Sequence, residues 1–136
     1  MLTVWTTPGR VRGRRAMRDV LVVDDDTGVR DFIGFALAAE GIATRAAGDG
    51  EQALARVAER RPGVILLDRD MPVMDGVRFC ATLDATLGRA GTAVVAMTAS
   101  TGAARFRDAC HADDLLRKPF DLDDLFAVIG RHLGAP

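Results

Sequence analysis

The chain has 136 residues, 49% hydrophobic and 27% charged, which is room for one domain with its own core and too little for two ordinary ones. The net charge of -1 is unevenly spread: Arg10, Arg12, Arg14 and Arg15 stand in residues 1–16 without any acid, leaving an acidic body that argues against a nucleic-acid-binding domain and suits a carboxylate metal site. No apolar stretch approaches the ~20 residues needed to cross a bilayer, no secretory apolar core precedes the arginines, and Cys80 and Cys110 read as buried thiols rather than a disulfide, so the expected location is cytoplasmic, with no membrane association.

Residues 1–16 show no useful periodicity and are broken by Pro8, Gly9 and Gly13. They are expected to be a disordered basic extension, with a domain over 17–136. A strand is expected near 19–24, then a helix near 27–40 capped by Asp26 or Thr27. Val29, Phe32, Ile33, Ala36 and Leu37 share one side of it, and Gly41 ends it. Ile42 to Ala46 reads as a shorter edge strand. Gly50 to Arg61 carries Ala53, Leu54, Val57 and Ala58 at helical spacing before Pro62 stops it. Val64–Asp68 is the third strand, followed by a loop to Gly76. A helix near 77–87 is expected to turn Val77, Cys80 and Leu83 inward and to end at Gly88.

Thr92–Thr98 is the fourth strand, 103–110 a helix, and 114–118 the fifth strand. Asp121 can cap a last helix with Leu122, Leu125, Phe126 and Ile129 as its apolar stripe. Phe106 and Phe126 read as core, and His111 and His132 have no acid–base partner at useful spacing. Five βα units with near-continuous apolar strands imply an α/β fold with a parallel sheet between helix layers. The expected architecture is flavodoxin-like, doubly wound (βα)5, in the order 2-1-3-4-5.

Four of the apolar runs stop at a reactive group. Val20–Val23 runs into Asp24, Asp25 and Asp26; Val64–Leu67 into Asp68; Ala93–Met97 into Thr98; and Leu115–Arg117 into Lys118, the only lysine. In open α/β sheets the carboxyl ends of the strands form the binding edge. Crowded carboxylates repel, and a hard divalent cation removes the conflict, which selects Mg²⁺, with Mn²⁺ or Ca²⁺ as alternatives. Asp25 and Asp68 are the expected side-chain ligands, Asp24 acts through a water, and the backbone carbonyl of Asp70 can add an oxygen. A carboxylate can itself attack phosphorus. Asp68 ends a central strand and is the expected nucleophile. Lys118, the Thr98 hydroxyl and the backbone N–H groups near Asp70 and Ala99 would meet the phosphoryl oxygens.

The chain closely resembles the receiver domain of bacterial two-component response regulators over residues 18–133. The resemblance is carried by Val20-Leu21-Val22-Val23-Asp24-Asp25-Asp26, by Leu66-Leu67-Asp68-Arg69-Asp70-Met71-Pro72-Val73-Met74-Asp75-Gly76, by Met97-Thr98-Ala99 and by Lys118-Pro119-Phe120. It implies that Asp68 accepts a phosphoryl group from a phosphohistidine on a sensor kinase or phosphotransfer protein, and that Asp24 and Asp25 hold Mg²⁺. It further implies that Thr98 is the switch hydroxyl, that Lys118 contacts the phosphoryl group, and that the Lys118-Pro119 bond is cis. Asp70 and Ser100 would tune hydrolysis of the phosphoryl group.

The sequence departs from that family in three places. The usual aromatic switch residue on strand five is Leu115 here, and the chain contains no tyrosine. The segment from Thr98 to Lys118 is slightly short. His111 stands where a glycine is expected.

The resemblance implies a stand-alone, chemotaxis-type receiver that is a signalling module rather than an enzyme, catalysing only its own phosphorylation and dephosphorylation. Its docking face would be the last helix, strand five and the helix after strand four. Two other readings remain. Asp68-Arg69-Asp70 mimics the D-x-D of haloacid-dehalogenase-like phosphohydrolases, although there the metal-binding acids come late in the chain. A pseudo-receiver scaffold is the third, against which the complete Asp/Asp/Asp/Thr/Lys set argues.

Overall fold

The computed structural model describes residues 19–99 and 101–133; the expected basic extension and Ser100 lie outside these residues. The elements alternate as β1 (Val20–Val23), α1 (Thr27–Ala39), β2 (Thr44–Ala47), α2 (Gly50–Glu59), β3 (Val64–Leu67), α3 (Gly76–Ala85), β4 (Ala93–Thr98), α4 (Ala103–Cys110), β5 (Asp114–Arg117) and α5 (Leu122–Leu133). All strand pairs are parallel, in the order β2-β1-β3-β4-β5. This is the flavodoxin-like arrangement, with the order reversing between β1 and β3.

Alternation along the strands divides the core into two layers. Val20, Val22, Val64, Leu66, Val95, Met97 and Leu116 pack on one face with Ile33 and Leu37 of α1 and with Leu125, Val128 and Ile129 of α5. Leu21, Val23, Ile65, Leu67, Val94 and Ala96 pack on the other with residues of α2, α3 and α4. Both faces of β1 and β3 are thus covered, which is why these strands read as unbroken apolar runs.

Aspartates start four of the five helices. Asp26 accepts from the N–H groups of Gly28 and Val29, Asp49 from Gln52, Asp75 from Arg78, and Asp121 from Asp124. Gly41, at φ 77°, follows α1 in the left-handed conformation that lets the chain reverse into β2. His111 takes the same conformation at the end of α4, at φ 52°.

Four helix faces differ from the expected stripes. In α3 the Asp75 cap sets the phase so that Gly76, Phe79, Cys80 and Leu83 are buried, and Val77 is exposed. In α5 Leu122 is exposed, Phe126 lies half-buried, and Val128 joins Leu125 and Ile129 inside. In α1 Phe32 is exposed beyond Ile33 and Leu37, with its ring 6.3 Å from that of Phe120. α2 ends at Glu59, two residues before the expected limit, with Ala58 exposed. A helix with one buried layer needs only a narrow stripe, so apolar residues at the stripe's margin stay outside.

Candidate functional site

The parallel register brings the ends of β1 and β3 level, with β4 running two residues farther, to Thr98. Val23 pairs with Leu67 and Leu67 with Ala96, and the Asp68 N–H donates to the Val23 carbonyl at 2.9 Å. The residues that follow these strands therefore emerge together. β5 lies beside β4, with the Lys118 N–H donating to the Thr98 carbonyl at 3.1 Å, which carries the lysine to the same rim. The Lys118-Pro119 bond is cis.

Asp24, Asp25 and Asp68 each offer a carboxylate oxygen, and these oxygens lie within 4.8 Å of one another. Asp24 is fully buried, Asp68 nearly so, and Asp25 open to solvent. Asp24 is held at three points. One carboxylate oxygen accepts from the Asp26 N–H at 2.9 Å, the other from Lys118 Nζ at 2.6 Å, and its carbonyl accepts from the Arg30 guanidinium at 2.7 Å. Lys118 Nζ also lies 3.7 Å from Asp68. Thr98 is buried at the end of β4, and Ala99 is exposed beyond it.

Lys118 thus faces two of the three carboxylates, and the Arg30 guanidinium stands on the Asp24 carbonyl. Burial and the charge of Asp24 push the Asp68 carboxyl up to about 6, against the opposing pull of Lys118. Burial would lower the Lys118 pKa, but its hydrogen bond to Asp24 and the charge of Asp68 outweigh this and raise it. The cluster is short of positive charge. Three oxygen donors at this spacing fit a hard divalent cation.

The remaining expected residues occupy the periphery of this cluster. Asp70 is exposed, and both its carboxylate oxygens accept from the Arg69 guanidinium at 3.1 Å. An acid so engaged gives no support to a D-x-D hydrolase. Leu115 is half-buried against the layer that contains Phe106 and Cys110. His132, expected to have no partner, contacts Asp114 Oδ2 at 2.8 Å, because β5 and α5 bring together residues 18 positions apart.

Two contributors were not singled out from sequence. Arg30, on the second turn of α1, clamps the Asp24 carbonyl, and only its helical distance from Asp24 could have suggested it. Gly76 starts α3 directly beneath the end of β3. A Cβ there would stand 2.4 Å from the Asp68 carbonyl oxygen and 2.8 Å from the Phe106 ring, so only glycine fits. Asp75-Gly76 in the sequence was the available signal.

The family model described as the response regulator receiver domain matches residues 20–130. The chain belongs to this family. Receiver domains are the phosphoryl-accepting signalling modules of two-component phosphorelays. The regulatory protein AtoC of Escherichia coli is 37% identical over 120 residues, covering 87% of this chain and 26% of AtoC. The DNA-binding response regulator MtrA of Mycobacterium tuberculosis is 37% identical over 116 residues, covering 84% of this chain and 50% of MtrA. The chain therefore spans half or less of the length of these curated relatives. Among solved structures, the chemotaxis protein CheY4 of Vibrio cholerae superimposes with a TM-score of 0.77 at 30% identity, covering 85% of this receiver and 98% of CheY4. No helix among the described residues is long and apolar enough to cross a membrane.

Proposed function

We propose that Asp68 is the phosphoryl acceptor of this receiver, and that the donor is a phosphohistidine on a sensor histidine kinase or a histidine phosphotransfer protein. The observation that carries this reading is the charge imbalance around Asp68: three carboxylates within 4.8 Å of one another against one lysine. Asp24, Asp25, Asp68 and the Asp70 carbonyl would hold Mg²⁺, or Mn²⁺ in its place. When bound, the ion supplies positive charge to the transferring phosphoryl oxygens and removes the repulsion among the acids.

An Asp68 carboxylate oxygen attacks phosphorus, the P–N bond to the donor imidazole breaks, and the imidazole leaves with the bonding electrons. Asp68 must be ionised to attack, and its raised pKa of about 6 leaves the carboxylate the dominant form at neutral pH. Lys118 releases part of its hold on Asp24 to meet one phosphoryl oxygen. The Thr98 hydroxyl and the backbone N–H groups near Asp70 and Ala99 meet the others. The new dianion draws Thr98 toward it, and the change passes to α4, β5 and α5. With Leu115 in the switch position, the motion behind Thr98 proceeds without an aromatic ring.

Asp70 and Ser100 set the rate at which water removes the group. The module catalyses nothing beyond its own phosphorylation and dephosphorylation. It works in the cytoplasm through a protein partner and without direct contact to nucleic acid. Residues 17–136 make up the receiver, and residues 1–16 are a basic extension.

The test is covalent labelling. With acetyl phosphate and Mg²⁺ the chain should gain one phosphoryl mass, and Asp68→Asn should abolish that gain while circular dichroism stays native. Labelling of the variant at the wild-type yield would refute the acceptor. Steady turnover of a phosphomonoester would move the reading to a hydrolase.

A further inference from the structure

Cys80 of α3 and Cys110, the last residue of α4, are the chain's two cysteines; both are buried, and neither is in a disulfide. They are distant in sequence but belong to the same core layer. The Cys110 thiol lies 3.5 Å from the carbonyl oxygen of Gly76, one helical turn before Cys80, so its sulfur is seated on the turn that carries the other thiol. That carbonyl is the helical acceptor of the Cys80 N–H, so the two cysteines meet at one turn of α3.

Arg89 completes the surroundings. Its guanidinium donates to the carbonyls of Cys110 at 2.6 Å and His111 at 2.9 Å, and Asp84 fixes it at 2.7 Å. The neighbouring Cys110 thiol, and after it the Arg89 charge, hold the Cys80 thiol below its usual range against the effect of burial. Cys110 is pushed up by its neighbour Cys80 and by burial. Buried thiols are ordinarily inert; a fixed cation and a second thiol beside Cys80 are the features of a reactive one.

We propose that Cys80 and Cys110 are a redox modification site that closes to an intramolecular disulfide under hydrogen peroxide, tying α4 to α3. Burial excludes bulky oxidants and leaves one little larger than water. The Cys80 thiolate attacks a peroxide oxygen, the O–O bond breaks, and the departing hydroxide takes up a proton to leave as water. Cys80 is then a sulfenic acid. The Cys110 sulfur attacks the Cys80 sulfur, an S–S bond forms, and the hydroxyl leaves with the Cys110 proton as a second water. The two thiols lose two electrons, and one peroxide is reduced to two waters.

The tie would fall where α4 meets the acceptor's backbone. Gly76 lies against the Asp68 carbonyl, and both Phe106 and Cys110 of α4 rest on Gly76. A bond from Cys110 to Cys80 therefore fixes α4 against the strand end that carries Asp68, and α4 can no longer answer phosphorylation. This consequence rests on the proposed acceptor role; the disulfide does not.

The experiment treats the reduced full chain with hydrogen peroxide, then denatures and alkylates it for mass analysis. The expected product is a monomer lighter by two hydrogens and unalkylated at Cys80 and Cys110, restored by dithiothreitol and absent from Cys80→Ser and Cys110→Ser. Full alkylation after peroxide, or a disulfide only between chains, overturns the site.

Hydrogen exchange of residues 103–110 with beryllofluoride and Mg²⁺ then reads the consequence. The reduced chain should change its exchange and the oxidised chain should show at least a several-fold smaller change. Equal changes overturn the gating role. Failure of the reduced chain to take the phosphoryl label would strike the acceptor assignment and leave the mass result standing.

Discussion

The two rims of the sheet both bury an aspartate beside basic side chains, and they do so with opposite charge balance. At the amino-terminal rim Asp19 is buried and accepts from two guanidiniums, Arg45 at 2.7 Å and Arg60 at 2.7 Å. Its carbonyl also accepts from the Gly63 and Val64 N–H groups. One acid has two bases, and Arg45 spends its remaining donors on the Arg56 and Arg60 carbonyls. At the carboxyl rim Asp24 and Asp68 share one lysine, with Asp25 beside them. A rim with surplus cations staples the fold, whereas a rim short of cations could hold a metal ion. Residue type alone does not separate the two.

Breaking the staple should have the largest effect. Asp19→Ala strands two guanidiniums beside the core and should cost about 3 kcal/mol of stability, read from urea unfolding, because removal of one member of a buried ion pair leaves its partners uncompensated. Mg²⁺ dependence of labelling should be unchanged; a shifted Mg²⁺ requirement would mean that the rims are coupled.

The mirror experiment is Asp25→Asn. It should raise the Mg²⁺ concentration for half-maximal labelling by at least ~10-fold, the scale seen when even outer-shell partners of a metal are lost. Stability without metal should change little, because Asp25 is exposed. An unaltered Mg²⁺ curve would remove Asp25 from the ligand set.

A pH titration sharpens the contrast further. Asp68 is raised from 3.8 to about 6, so without metal the native state binds a proton that the unfolded chain has released. This group's effect on stability is therefore absent below about pH 4 and becomes a penalty as pH rises toward about 6. The penalty is roughly 1–2 kcal/mol after allowance for solvent screening. Asp68→Asn should flatten that slope in thermal unfolding followed across the window, and an equally steep slope in the variant would assign it elsewhere. The smallest effect is expected of Arg60→Ala. Its side chain is 42% exposed, and Asp19 keeps Arg45, so the loss in urea unfolding should stay under about 1 kcal/mol. A cost equal to that of Asp19→Ala would show that Arg45 alone cannot neutralise Asp19.

Much of this was legible before folding. The strands showed as short apolar runs because a parallel sheet is covered on both faces, and in four of the five the reactive group at the run's end named what the carboxyl rim carries. The positive φ of His111 followed from its place after α4, where a glycine was expected. The helix stripes were less legible: Val77, Leu122 and Phe32 fit a helical period, yet the capping aspartate and the width of the buried stripe settle which residues turn inward. Pairings such as Cys110 with the Gly76 carbonyl, His132 with Asp114, and Asp19 with Arg45 and Arg60 had no signal at all. Each joins side chains from separate elements whose spacing in the chain carries no pattern.

Local order along the chain thus specified the five βα units, the parallel sheet and the identity of the groups at its carboxyl edge, since hydrophobic period and strand-end position are properties of neighbouring residues. Folding specified how many charges each group would face. That balance, two guanidiniums on Asp19 at one rim and Lys118 with the Arg30 guanidinium among three acids at the other, depends on distances between elements, as does the burial that raises the Asp68 carboxyl.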